Sequence, residues 1–226
     1  FYNTRPTQLW LIKLASFMVD GSKYEKCKIF KDVAAGDFSP QYLRFSPSGK
    51  SLTYLTTDDT FSHLAPARLR CVKWASINAD QDVSNFNAVE TIIDIPRNVR
   101  SSDILERGAF GGIFCDESTP QRCWINDNEL VINSYHGHCL GALLIDISQK
   151  TVQKLDKFPE ISDSFNQAGA IKAEIARDFY VLDVDAENGQ ILFLTSSIQR
   201  GHTMNVYDVD KKRVARLSET IPEKEE

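Results

Sequence analysis

Apolar and polar residues alternate along this chain in short runs, not in long helical stripes. Within 51–56, Leu52 and Tyr54 flank Thr53, and comparable runs occupy 8–14, 89–95, 129–133, 190–194 and 205–209. Such runs are rich in β-branched, aromatic and leucine residues, and several alternate with a period of two; both features predict strands. Turn chemistry separates them. Ser48-Gly49 and Asn188-Gly189 offer the positive φ that tight hairpins require, and 148–151 and 210–213 read as polar four-residue turns leading into strands at 152–155 and 214–217. Only 168–177 fits a short helix, and it fits equally well as the innermost strand of the last repeat.

The runs recur as a unit. Its first half reads FSPSGKSLTYLTT (45–57), WINDNELVINS (124–134) and VDAENGQILFLTS (184–196); its second half reads LRCVKWAS (69–76), ALLIDIS (142–148) and MNVYDVD (204–210). A fourth copy of the second half, QLWLIKL (8–14), opens the chain. Repetition of several short strands is how a β-propeller is written in sequence, each unit being one blade. The expected fold is therefore all-β: a partial β-propeller of about three and a half four-stranded antiparallel blades from a seven- or eight-bladed ring. A half-blade is expected at 1–33 and blades at 34–96, 97–158 and 159–217, together the C-terminal half of a propeller domain, with 218–226 as a polar tail or linker. Equivalent positions lie 78 residues apart from Leu52 to Leu130 and 61 from Leu130 to Ile191. Both exceed the roughly 40–50 residues of common propeller repeats, so insertions are expected at 78–88 and 97–122. A ring of so few blades leaves strand edges bare. The chain is accordingly expected to be a fragment of a larger protein, or else to self-associate as a homo-oligomer that completes the ring.

Composition narrows the partners. With 226 residues, 42% hydrophobic and 25% charged, the chain is ordinary for a soluble globular protein. Its net charge of −5 argues against nucleic-acid and membrane-surface binding, which need a concentrated basic face. No apolar run approaches the ~20 residues of a membrane span. Five cysteines, Cys27, Cys71, Cys115, Cys123 and Cys139, form no closely spaced framework, which fits reduced thiols and a cytoplasmic location.

Candidate chemistry is sparse. Gly49-Lys50-Ser51 resembles the end of a phosphate-binding loop, but Arg44 stands where that loop needs its first glycine. Ser51 also follows Gly49 as in a nucleophile elbow, yet Thr53 occupies the second glycine position, and no G-x-S-x-G occurs in the sequence. His136, His138 and Cys139, with Cys115 and Cys123 upstream, are the best metal candidates, but the seven-residue gap between those two cysteines and the H-x-H spacing match zinc sites poorly. The glycine-rich stretch from Gly108 to Gly112 lacks the strand and helix of a dinucleotide site and reads as a bend entering a blade. His63 and His202 stand alone in loops, while Asp58, Asp59, Asp183 and Asp185 lie near strand ends, where carboxylates tie turns together through backbone N–H groups. The expectation is no catalytic, cofactor-binding or metal residue in this chain, and no cofactor.

FSPSGKSLTY (45–54) is similar to the S-P-D-G-K-x-L-x-Y blade signature of prolyl-oligopeptidase-type propellers, with Ser48 in place of the usual aspartate. GIFC (112–115), Cys123-Trp124, ELVINS (129–134) and LID (144–146), in that order, resemble the propeller of the acylaminoacyl-peptidases (acylamino-acid-releasing enzymes), and Asn3-Thr4-Arg5 with 9–14 fits the blade before. The resemblance spans about residues 1–217. It implies a parent with an N-terminal propeller and a C-terminal α/β-hydrolase domain bearing Ser, Asp and His, which releases N-acylated amino acids from short peptides. The propeller's implied part is a steric cap that admits short N-acylated peptides. No catalytic residue of that family maps onto this chain. The competing reading is a non-enzymatic propeller serving as a protein-interaction platform, and a third is a truncated product without a role of its own. A WD-type platform would carry G-H and W-D pairs in each blade, whereas Gly201-His202 occurs once and Trp-Asp never.

Overall fold

The computed structural model describes residues 10–12, 26–28, 38–57, 65–74, 89–96, 110–114, 119–136, 139–155, 178–196 and 202–219. All thirteen described elements are strands, gathered into antiparallel sheets, and the chain divides into two compact units, Phe1–Ile95 and Pro96–Glu226. The chain is a partial β-propeller: its larger sheets are up-and-down meanders of the kind that make blades.

In the first unit, β1 (Trp10–Ile12) pairs with β2 (Lys26–Lys28). A complete blade follows: β3 (Phe38–Phe45), β4 (Ser51–Thr57), β5 (Ala67–Lys73) and β6 (Val89–Ile93), hydrogen-bonded in that order. The hairpin between β3 and β4 closes where the pattern predicts, with Gly49 at φ 70°. Leu52, Tyr54 and Val72 form the buried centre of this sheet, flanked by Trp74 and Val89. Strand β3 was not legible as a strand. It carries Pro40, which cannot donate to a ladder, and positive φ at Ser39 (51°) and Tyr42 (54°), with register breaks on both sides of Gln41. An edge strand with bulges tolerates these residues; a central strand would not.

In the second unit, β7 (Glu129–His136), β8 (Cys139–Asp146) and β9 (Thr151–Lys154) form one sheet, and β10 (Asp178–Asp185), β11 (Gln190–Ser196), β12 (Thr203–Asp208) and β13 (Arg213–Glu219) form the next. The free edge of β7 is covered in two pieces. Phe114 accepts from the Tyr135 N–H at 2.9 Å, and Cys123 accepts from the Val131 N–H at 2.7 Å, beside a bridge between Trp124 and Leu130. These are the two runs that carry the family resemblance. Together they stand where a continuous fourth strand would lie. The first strand of the last blade is β10, while the 168–177 stretch considered for that place lies outside the described residues.

One apolar core joins these two sheets. Ile125, Val131 and Ala142 come from the β7–β9 side, and Phe179, Val181, Val184, Ile191, Phe193 and Val214 from the β10–β13 side. Phe179 and Phe193 stack with centroids 4.4 Å apart. Close packing of large side chains makes this core intolerant of truncation. Phe193→Ala is expected to cost about 3–5 kcal/mol in urea unfolding. Leu217→Ala, at an exposed position of strand β13, should stay within about 0.5 kcal/mol of the parent. Equal losses for the two would contradict this placement of the core.

Candidate functional site

The polar groups of the second unit converge on the seam between its two sheets and on the hairpin turns at their ends. Asn133, midway along β7, is buried to 1% exposure. Its Nδ2 donates to the Val181 carbonyl at 2.9 Å, and its Oδ1 accepts from the Val181 N–H at 2.8 Å. The side-chain amide thus mimics a neighbouring peptide on the open edge of β10. Two contacts flank it. The Asp178 carboxylate accepts from the Leu140 N–H at 2.9 Å, and Arg122 Nε donates to Asp183 Oδ1 at 2.8 Å, with a second contact between the same two side chains. The register break between Val181 and Asp183 lets β10 satisfy both Asn133 and Arg122.

The turns share one device. Asp146, Asp185 and Asp208 each close a strand, and each turns its carboxylate onto backbone N–H groups two or three residues ahead. Asn126 does the same for Asn128 and Glu129. These hydrogen bonds favour the ionised form. The Asp146 carboxyl is held below its ordinary range chiefly by the Gln149 N–H, Asp185 by the Asn188 side chain, Asp208 by the Lys211 ammonium, and Asp183 by the Arg122 guanidinium. In the first unit the largely buried Arg68 does so for Asp94, at 2.6 Å.

The residues singled out in the sequence fall as follows. Gly49, Lys50 and Ser51 form a hairpin turn whose N–H groups are spent locally: Gly49 donates to the Ser46 carbonyl, Lys50 to the Ser48 hydroxyl and Ser51 to the Ser46 hydroxyl. No phosphate cradle remains there. Cys71 is buried, and burial pushes its thiol up, partly offset by the Ser51 hydroxyl, so it is held protonated and unreactive. Cys123 accompanies Val131 near one end of β7, while His136 ends the strand five residues on, roughly 16 Å away at strand rise. They cannot share an ion. Gly112 enters the blade at φ 116°, ahead of fully buried Ile113. Asp183 and Asp185 act on the turn and seam as described, and His202 is exposed before β12. Asp58, Asp59, His63, Gly108, Cys115 and His138 lie outside the described residues, as do the side chains of Cys27 and Cys139. Sequence reading passed over Asn133, Asp146 and Asp208. The aspartates had a signal, an Asp at the last strand position before each polar turn; the asparagine had none.

This geometry defines blades of a propeller whose described aspartates and Asn133 hold hairpin turns and the seam between neighbouring sheets. The chain belongs to the family described as acylamino-acid-releasing enzyme, N-terminal domain, which matches residues 2–169. Comparison with curated protein sequences gives no match. Among solved structures, the chain is similar to TolB from Acinetobacter baumannii (10% identity, TM-score 0.45, covering 89% of this chain and 36% of that one). It is also similar to puromycin hydrolase (13%, 0.47, 88% and 24%) and to dipeptidyl peptidase 4 from Porphyromonas gingivalis (9%, 0.44, 88% and 27%). The chain spans about a quarter to just over a third of the length of these three structures. Among the described residues no helix is long and apolar enough to cross a membrane.

Two measurements test the site. Asn133→Ala leaves the buried N–H and C=O of Val181 unpaired, so it should destabilise by about 1–3 kcal/mol per orphaned group. A loss no larger than that of an exposed substitution would contradict the clamp. The carboxylates set the pH dependence. Each has a folded-state pKa depressed below the unfolded value near 4, so its contribution is complete above that value and is lost as pH falls through the depressed one. The urea midpoint should be flat from about pH 7 to 5 and fall below about pH 4. A midpoint that rises on acidification would contradict the assignment.

Proposed function

We propose that this chain is a non-catalytic propeller segment that gates a serine peptidase releasing N-acylated amino acids from short peptides. The observation that carries the reading is the family match over residues 2–169, together with a chain built of blades. In this reading the active partner is a C-terminal α/β-hydrolase domain of the same parent polypeptide. There a serine attacks the scissile carbonyl, a histidine takes its proton, and backbone N–H groups hold the oxyanion. The blades act by exclusion. A rigid cap admits a short chain end, turns away folded protein and keeps bulk water from the reacting centre. The Asn133 clamp and the apolar core beneath it supply rigidity to two of those blades, because parting the sheets would bare paired polar groups as well as apolar surface.

The test compares acetylated peptides of increasing length as substrates of the parent polypeptide, beside this chain alone. The parent is expected to cleave short acetylated peptides and to spare long ones, while this chain alone cleaves neither. Asn133→Leu in the parent should raise cleavage of the long peptides relative to the short. A parent that hydrolyses long and short peptides equally well overturns the gating role, and one that leaves all acetylated peptides intact overturns the peptidase reading.

A further inference from the structure

The hairpin between β10 and β11 holds the one Asn-Gly pair in the sequence, Asn188-Gly189. Asn188 is exposed at the tip of the turn, and Gly189 sits at φ 60°. Where a side chain on the following residue would hinder the approach of its backbone nitrogen to the asparagine carboxamide, Gly189 offers none. The other described asparagines are followed by bulkier residues: Asp127, Glu129, Ser134 and Val206. One contact restrains the amide. Asp185 Oδ2 accepts from Asn188 Nδ2 at 2.7 Å, while Asp185 Oδ1 takes the N–H groups of Glu187 at 3.0 Å and Asn188 at 3.2 Å. That grip fixes both the backbone of the turn and the direction of the carboxamide.

We propose that Asn188 is a latent site of spontaneous deamidation, kept in check by Asp185. In the reaction the Gly189 nitrogen, giving up its proton, bonds to Asn188 Cγ. The Cγ–Nδ2 bond breaks and ammonia leaves with that proton. Water then opens the five-membered imide at either carbonyl, giving aspartate or isoaspartate, with no change of oxidation state. The product reverses the local chemistry. A carboxylate replaces the amide donor beside Asp185 and Glu187, and the isoaspartyl form adds a methylene to the backbone inside the Asp185–Gln190 register. Conversion therefore loosens the hairpin that carries Asp183 and the seam contacts of β10.

The test incubates the purified chain at mildly alkaline pH and follows the tryptic peptide 178–200, in which Asn188 is the only asparagine. Amide-to-acid conversion is read by mass, and isoaspartate by its acceptance of methyl groups from an isoaspartyl carboxyl methyltransferase. Asn126, Asn128 and Asn133, in the tryptic peptide 123–150, report on global opening in the same sample. Asp146→Ala removes the same turn device from a hairpin of the other sheet and serves as the control. Asp185→Ala is expected to speed conversion at Asn188 several-fold over the parent, leaving the other three asparagines at parental rates. Asp146→Ala should leave Asn188 unchanged. An Asp185→Ala variant no faster than the parent overturns the proposal. So does one that accelerates all the asparagines alike, or an equal acceleration of Asn188 by Asp146→Ala.

Discussion

A strand at the edge of a sheet carries N–H and C=O groups that must find partners once a neighbouring sheet excludes water. On β10 a side chain meets that demand. Asn133 reaches from β7 and satisfies both backbone groups of Val181, in the middle of an apolar core to which Val131, Val181 and Phe193 contribute. The bulge before Asp183 and the ion pair of Asp183 with Arg122 lie beside that amide on the same strand. A buried amide is stabilising only while both of its bonds are made, so it specifies one alignment of the two sheets and penalises any slip.

Around this seam the second unit repeats a single local solution. At the described β8–β9, β10–β11 and β12–β13 turns, the carboxylates of Asp146, Asp185 and Asp208 fold back on the turn and pin those strand pairs at one end. The long-range seam and the local turns divide the work. Turns set pairing within a sheet, and the clamp with its apolar core sets how one sheet meets the next.

What was legible in the sequence follows the same division. Strands β4, β6, β7, β8, β9, β11, β12 and β13 were readable because strand-forming composition and turn residues are local signals, and the turns at Gly49 and Gly189 bear out the hairpin pattern. Strand β3 was hidden by Pro40 and its bulges, and β10 by a bulge that shifts the alternation after Val181. Asn133 could not be picked out, because its partner lies 48 residues away and one polar residue within ELVINS carries no label of its role. The two runs covering the free edge of β7 carry a signal in their residue types but none of their place, as the broken fourth strand of that blade.

The proposed gating role requires these blades to be part of a larger peptidase polypeptide. The most direct measurement is the size of the native polypeptide, detected in an extract of its source with an antibody against this segment. A species of about 70–80 kDa, the size of a seven- or eight-bladed propeller joined to a hydrolase domain, is the predicted result. A sole species near the 25.5 kDa of this chain would contradict it.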